Sequence, residues 1–327
     1  MTVTLKPFRI GGIQVDFPII LAPLAGFTDL SYRLLCRRFG APYCTTEMML
    51  DKQMLLTGKL RRRLTRLDEL DHPVAGQLIG NDPAMMAGAA AIVCQEGFDV
   101  VDLNFACPVH KALRRRRGGF LMSQADHAVA IARAVTAVAT KPVTLKVRRK
   151  YRTADEDDMF WRIAEGVFEA GVAAITVHAR SVEMKYVGRA DWDFLTEVKR
   201  RFPDRTIIGS GDVLTPAAAL DMLAQTGVDA VAVARGAMGN PWFFRQAADL
   251  AAGREISKPP ISEQREALAW HFDHAVGLYG QKTSKIMRKF GIKYARMHPM
   301  PGKVRTAFIN VKNAGDWHAV LEQYYQG

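Results

Sequence analysis

The sequence predicts an α/β fold, a (β/α)8 TIM barrel followed by a small C-terminal helical domain, and three observations carry that reading. Eight apolar, β-branched runs of strand length recur over about 220 residues, with amphipathic helical segments between them. Each run ends in, or just before, a residue able to bind or react. After residue 257 the alternation stops and a basic, helix-like pattern takes over.

The runs are Ile19 to Ala22, Tyr43 to Thr45, Val74 to Ile79, Val100 to Leu103, Val143 to Lys146, Ala174 to Val177, Thr206 to Gly209 and Ala230 to Val233. Between them, stretches such as Pro83 to Gly97 and Asp126 to Thr140 place alanines and aliphatics at helical spacing. Alternating strand and helix implies a parallel sheet covered by helices, and eight repeats imply closure into a barrel. An open doubly wound sheet is disfavoured because no GxGxxG turn follows the first run. The expected organisation is a catalytic barrel over residues 1–257 and a basic helical domain over 258–327. Lys258-Pro259-Pro260 breaks the chain between them, Glu263 to Tyr279 reads as a long helix, Tyr294 to Pro301 as a turn, and Asp316 to Tyr325 as a closing helix. There is no other internal repeat and no low-complexity segment.

At 327 residues, 49% hydrophobic and 24% charged, the chain can bury a large core. No apolar run reaches the length of about 18 residues that a membrane span needs, and residues 1–6 show no basic-then-apolar export signal. The four cysteines, Cys36, Cys44, Cys94 and Cys107, lack CxxC spacing, which argues against a metal site and against a disulfide framework, and favours a reducing cytoplasm. The net charge is +12, and the 42 residues from His274 to Gly315 contain no acid but nine Lys or Arg: Lys282, Lys285, Arg288, Lys289, Lys293, Arg296, Lys303, Arg305 and Lys312. A solvated helix face mixes both signs, so this stretch reads as a phosphate-tracking surface.

In a barrel the carboxyl ends of the strands converge on one mouth. There the sequence puts Pro23, Glu47, Gln77, Asn104 with Cys107, Lys146, His178, Ser210-Gly211-Asp212 and Arg235. The turns Ser210-Gly211-Asp212 and Ala234-Arg235-Gly236 follow the last two runs, where barrels build phosphate sites from backbone amides. One phosphate there, with Gln77, Lys146 and His178 left for a planar polar ring, points to flavin mononucleotide (FMN). The segment from Asp102 to Val109 delivers Cys107 on extended backbone, because Pro108 disfavours helix before it. Arg114, Arg115, Arg116 and Arg117 follow, then Gly118-Gly119. A positioned thiol beside a mobile cationic loop suggests proton or covalent chemistry on a polyanion.

Together, Ala22-Pro-Leu-Ala-Gly-Phe-Thr-Asp29, Thr46-Glu-Met48, Asn104-Phe-Ala-Cys-Pro108, Lys146-Val-Arg148, Val177-His-Ala-Arg180 and Ala234-Arg-Gly-Ala-Met-Gly-Asn-Pro-Trp242 resemble the tRNA-dihydrouridine synthase family, in order and from about Phe17 to the last helices. The resemblance implies an FMN-bearing barrel that reduces uridine in tRNA to 5,6-dihydrouridine, with NADPH as co-substrate and electron source. By position, Cys107 matches the residue that protonates the uracil ring. Pro23, Leu24, Ala25, Gln77, Lys146, His178, Ser210, Gly211, Asp212, Ala234 and Arg235 match flavin contacts. Asn104 and Arg180 fall where the family meets the target base, while Lys111, Arg114 to Arg117, Lys285, Arg288, Lys289 and Lys293 are expected to contact RNA. Three departures stand out: Ser210 where asparagine is usual, Leu24 for a common methionine, and Phe105-Ala106 with His110 around the thiol, where Met-Gly and lysine are more frequent. The first keeps a small polar group and the backbone amide, so FMN binding is expected to survive; the second conserves volume; the last bears on target choice.

The uracil C5=C6 bond, conjugated to the C4 carbonyl, accepts a hydride at C6 and a proton at C5. Cys107 as general acid must start protonated. The neighbouring arginines lower a thiol pKa from about 8.5 towards neutrality, so RNA phosphates are expected to neutralise them as the Gly118-Gly119 loop closes. Competing readings are a dihydroorotate dehydrogenase-type FMN barrel, a non-catalytic RNA-binding protein and an aldolase using Lys146 as a Schiff base. The first leaves the basic helical tail without a use, intact Cys107 and Lys146 argue against the second, and a flavin-coloured protein would remove both the second and the third.

Overall fold

Two three-residue strands, β1 (Phe8–Ile10) and β2 (Ile13–Val15), pair as an antiparallel hairpin near the start of the computed structural model, which describes residues 5–326. The part of the export-signal reading that rests on residues 1–4 lies outside the described residues. There follow β3 (Ile19–Leu21), α1 (Leu30–Arg38), β4 (Cys44–Thr45), β5 (Met49–Leu50), α2 (Asp51–Leu55), α3 (Lys59–Leu64), β6 (Val74–Ile79), α4 (Pro83–Gln95) and β7 (Val100–Phe105). Then come α5 (His110–Leu113), α6 (Ala125–Thr136), β8 (Val143–Arg148), α7 (Asp158–Glu169), β9 (Ala174–His178), α8 (Trp192–Arg201), β10 (Thr206–Ser210), α9 (Pro216–Thr226) and β11 (Ala230–Val233). Five helices complete the chain: α10 (Phe243–Ala251), α11 (Ile261–Tyr279), α12 (Thr283–Tyr294), α13 (Pro301–Ile309) and α14 (Ala314–Tyr324).

The strands after the hairpin run parallel in the order β4-β3-β11-β10-β9-β8-β7-β6-β5, and a β4–β6 pairing closes the ring. This is the predicted eight-stranded barrel, with one strand split. Both β4 and β5 pair with β6, Cys44 opposite Val74 and Met49 opposite Leu78, and Thr46 to Met48 bulge between them. The split frees Glu47 and Met48 from the ladder, at the level of the mouth.

Two apolar layers hold the barrel. Outward-facing residues such as Leu103, Leu145, Val147, Val177 and Val231 pack under the helices. Inside, small residues (Ala75, Ala174, Ala230, Ala232) meet Phe8, Ile10 and Val15 of the hairpin, which plugs the amino-terminal end and leaves the other end open. The helices start on local signals: Asp82 and Thr215 cap α4 and α9 ahead of Pro83 and Pro216, and Asn313 with Asp316 forms a capping box on α14.

The tail packs on the barrel through α1 and the loop after β11. Tyr32 and Phe290 flank the buried His271, Trp242 donates to Glu263 at 2.9 Å, and Arg296 donates to the Gly236 carbonyl at 2.6 Å. The acid-free stretch contains two helices the sequence reading did not resolve, α12 and α13. They bury Met287, Phe290 and Tyr294, and Val304 and Phe308, at helical spacing. Among the described residues no helix is long and apolar enough to cross a membrane, no group of three metal-ligating side chains gathers, and all four cysteines are free.

Candidate active site at the barrel mouth

A cavity of about 290 Å³ opens at the carboxyl ends of the strands. Pro23, Leu24, Ala25, Gln77, Asn104, Cys107, Lys146, His178, Ser210, Gly211, Asp212, Ala234 and Arg235 line it together. So do Met48, Arg148 and Tyr186, to which the sequence reading gave no role.

The wall that carries the thiol is aimed by a buried chain of hydrogen bonds. Asp102, on β7, accepts from Thr144 and from the Gln77 amide, each at 2.7 Å. Gln77 accepts from Asn104 at 2.8 Å, and the Asn104 carbonyl oxygen accepts the backbone N–H of Ala106 and of Cys107 at 3.1 and 2.9 Å. Burial raises the Asp102 carboxyl, with Gln77 and Thr144 opposing. Gly118 and Gly119 close over the other side. The Gly119 amide donates to the Cys107 carbonyl at 3.0 Å, and a Cβ on Gly118, which has φ +58, would fall 2.8 Å from that of Cys107. No other residue type fits so close in that conformation.

Cys107 is 9% exposed. Burial pushes its thiol up, while the Val109 amide and the Arg148 charge pull it back more weakly. The protonation problem posed by the arginine run therefore does not arise. Arg114 to Arg117 are not among the groups that shift the thiol, and they are not a mobile loop: α5 continues into turns in which Arg114 to Arg117 donate to the carbonyls of His110, Ala112 and Leu113. The cation that matters is Arg148. It is 2% exposed and donates to the carbonyls of Ala106, Ser181 and Lys185 at 2.8–2.9 Å, tying the thiol loop to the loop after β9. Burial lowers its pKa to about 10.

Lys146 stands beside Asn104 in the β7–β8 register. Burial, and then repulsion from Arg148, lower its ammonium to about 8, against attraction from Asp102, and no side-chain hydrogen bond or ion pair holds it among the described residues. An ammonium so placed has an unmet demand for an anionic or acceptor partner. Burial and the charges of Lys146, Arg148, Arg180 and Arg235 drive His178 far below its usual range, so the imidazole is neutral. Tyr186, half exposed, lies under the guanidinium groups of Arg148 and Arg235 at 5.6 and 5.0 Å, an aromatic surface at the rim.

The amides of Gly211, Asp212, Arg235 and Gly236, at the ends of β10 and β11, donate to no acceptor among the described residues, and the first three of these residues line the cavity. Unmatched N–H groups of this kind, with the Arg235 guanidinium beside them, are the donors an anion satisfies. The residues present thus fit a ligand with a phosphate at one end and a planar, hydrogen-bonding ring near Gln77, Lys146 and His178, which is what a flavin nucleotide offers.

Two expected contact residues do not face the cavity. Arg180, 2% exposed, donates to both carboxylate oxygens of Asp212 at 2.6 and 2.7 Å and to the carbonyls of Val187 and Gly188. Asp212, at φ +58, also accepts the Ala190 amide; burial raises its carboxyl, but Arg180 and that amide outweigh it and hold it low. Arg117 is 7% exposed and turned inward to Asp51 at 3.5 Å, so it does not belong with exposed Lys111 and Arg114 to Arg116. In each case a carboxylate distant in sequence captures the guanidinium, which no local pattern reveals. Lys285, Arg288 and Lys293 are exposed on α12, whereas Lys289 is partly buried against Phe27 and Phe290.

Fold and site together define a (β/α)8 oxidoreductase with a flavin seat and a buried, protonated thiol. Residues 20–326 match the family model for dihydrouridine synthase (Dus). The chain is 31% identical to tRNA-dihydrouridine synthase B of Shewanella oneidensis, over 97% of this chain and 98% of that protein. It is 32% identical to tRNA-dihydrouridine synthase B of Escherichia coli, over 97% and 99%. Among solved structures, 2-naphthoyl-CoA reductase shares the barrel at a TM-score of 0.60 and 14% identity, covering 76% of this chain and 52% of that one. Morphinone reductase in complex with tetrahydroNAD does so at 0.58 and 16%, covering 78% and 92%. The chain belongs to the dihydrouridine synthase family, and it is a flavin-dependent enzyme of that family.

Proposed function

We propose that the protein reduces uridine in tRNA to 5,6-dihydrouridine, with FMN as cofactor and NADPH as reductant, in the cytoplasm where tRNA is modified. The observation that carries this reading is the meeting, in one cavity, of a thiol kept protonated by burial, an unpartnered ammonium and an anion seat of unmatched amides. A single phosphate matches that seat, which favours FMN over a dinucleotide. When bound, FMN supplies the hydride that adds to C6 of the uracil ring.

The chain's own residues do the rest. The amides of Gly211, Asp212, Arg235 and Gly236 hold the phosphate, and Ser210 keeps a small polar side chain at the edge of that seat. Lys146, charged below pH about 8, sets a positive charge where negative charge develops on reduction. Neutral His178, whose Nε2 accepts from Arg180 at 3.4 Å, offers its other ring nitrogen to the flavin as a donor without adding charge. Cys107 Sγ–H gives its proton to C5, and burial matters here because an ionised thiol has none to give. Asp102, Gln77 and Asn104 fix the backbone on which the thiol rides. The base must leave its stack to reach this depth, so the substrate is a loop uridine. Residues 258–327, with Lys285, Arg288 and Lys293 outward, act as the RNA-binding domain, assisted by Lys111 and Arg114 to Arg116 at the rim.

Mapping dihydrouridine across RNA from cells with and without the protein tests the reading. The expected result is loss at one or more tRNA positions. An unchanged dihydrouridine map would overturn it.

A further inference from the structure

A second cavity, of about 510 Å³, lies against the outer side of the same mouth, between the barrel and the start of α12. The two share a wall one residue thick. Ala25 and Met48 line the mouth, Thr28, Glu47 and Met49 line the second cavity, and between them the Gly26 N–H donates to the Glu47 carboxylate. The second cavity is therefore the space next to the point where a base enters the barrel.

Its charge is unbalanced. Its two acids already serve as acceptors: Asp29 takes the Tyr32 amide and the hydroxyls of Ser31 and Tyr279, and Glu47 takes the Gly26 amide. Arg33 is neutralised by Asp71. Four cations remain. Arg63 and Lys282 are exposed and form no ion pair with any described residue. Arg66 meets only the Gly277 carbonyl, at 2.8 Å. Lys289 lies over the rings of Phe27 and Phe290, its ammonium 3.3 Å from where a Cβ on Gly26 would sit. On the barrel side the cations come from α3 and the residues just after it, and α3 buries none of its residues, so packing does not account for its basic sequence.

We propose that this groove is a second RNA subsite. It seats the nucleotide flanking the reduced uridine and holds its phosphate among Arg63, Lys282 and Lys289. The proposal rests on the RNA reading above. When one nucleotide is drawn into the barrel, the backbone on either side is drawn with it, and a flanking phosphodiester must pass over the Gly26–Glu47 wall. Three cations just beyond that wall, Arg63 and Lys282 without an ion pair and Lys289 beside Glu47, meet the charge there, and the aromatic bed under Lys289 holds its ammonium in place at low entropic cost.

The test uses the full flavin-loaded protein carrying R63A and K282A together, beside the wild type and a K141A/R200A control. Both mutated pairs are exposed, so folding is not at stake. The expected result is a rise of about tenfold or more in KM for tRNA, with kcat within about twofold and NADPH oxidation unchanged, for R63A/K282A only. Its log–log salt slope for tRNA binding should be shallower by up to about 0.7 for each phosphate that is no longer held. Wild-type KM and slope in R63A/K282A, beside an active wild type, would overturn the subsite and would fit a groove made for an acidic protein or a small anion. A fall in kcat with KM unchanged would also overturn it. An inactive wild type would instead overturn the functional reading on which the subsite rests.

Discussion

The arginines and lysines of the barrel mouth and those of the helical tail carry the same charge under opposite circumstances. At the mouth Arg117, Arg148 and Arg180 are buried at 7%, 2% and 2% exposure, and each is held by a carboxylate or by backbone carbonyls. On α12, Lys285, Arg288 and Lys293 stand in solvent, in a segment without a single acid. Buried cations with fixed partners build geometry, because moving them strands a charge in low dielectric. Exposed cations without partners are available to a ligand, and salt screens them. A basic chain thus has two populations of cations, and counting them together misjudges both.

The sharpest way to break that division is at the group the buried cations position. Cys107→Ala should keep the flavin and its reduction by NADPH, yet lose dihydrouridine formation by about 10²–10⁴-fold, as a missing general acid does. Steady-state tRNA reduction checks this, and full activity would move the proton donor elsewhere, His110 being next in line.

Within the arginine run the contrast is a matter of two residues. Arg117→Met leaves Asp51, 0% exposed, without its partner and should cost roughly 3–5 kcal/mol of stability. Arg115→Ala, in solvent, should stay within about 0.5 kcal/mol and weaken only RNA binding. Denaturant unfolding of the flavin-loaded proteins decides; equal losses would erase the distinction.

Lys146 lies between the two classes, buried yet unpartnered. Because its pKa is lowered to about 8, it is charged below that pH and neutral above. Flavin affinity should therefore fall as pH rises through about 8, and Lys146→Ala should bind weakly with that pH dependence gone. Flavin titrations from pH 6.5 to 9.5 measure it, and a flat wild-type profile would contradict the assignment.

The smallest effect belongs to the tail. The K285A/R288A/K293A variant should lower RNA affinity and flatten its log–log salt slope by up to about 0.7–0.9 per phosphate released, while NADPH oxidation is untouched. An unchanged slope would shift the footprint to Arg114–Arg116 and the groove beside α3.

What was legible in the chain follows the range of the interactions. The eight barrel strands were readable because a buried parallel strand needs a continuous apolar run, and such runs recur from Ile19 to Val233. Residues at strand ends could be assigned to the mouth, since barrel closure alone brings them together, except Glu47, which the bulge between β4 and β5 turns to the neighbouring cavity. The plug formed by Phe8–Ile10 and Ile13–Val15 was not, because three-residue strands are too short for periodicity to register. Nor was the split of the second barrel strand at Thr46 to Met48. The burial of Arg117 and Arg180 against carboxylates was not legible, because Asp51 and Asp212 lie 66 and 32 positions away along the chain. Arg148 showed itself only as part of a motif, although it ties three carbonyls together.

The most direct test of the account is a single reaction: flavin-loaded protein, NADPH and an unmodified tRNA transcript, with free uridine and orotate run in parallel. The account predicts dihydrouridine in the tRNA, NADPH consumed one for one, and no reduction of either free pyrimidine. Reduced protein that is reoxidised by orotate or uridine and leaves the tRNA unchanged would contradict it.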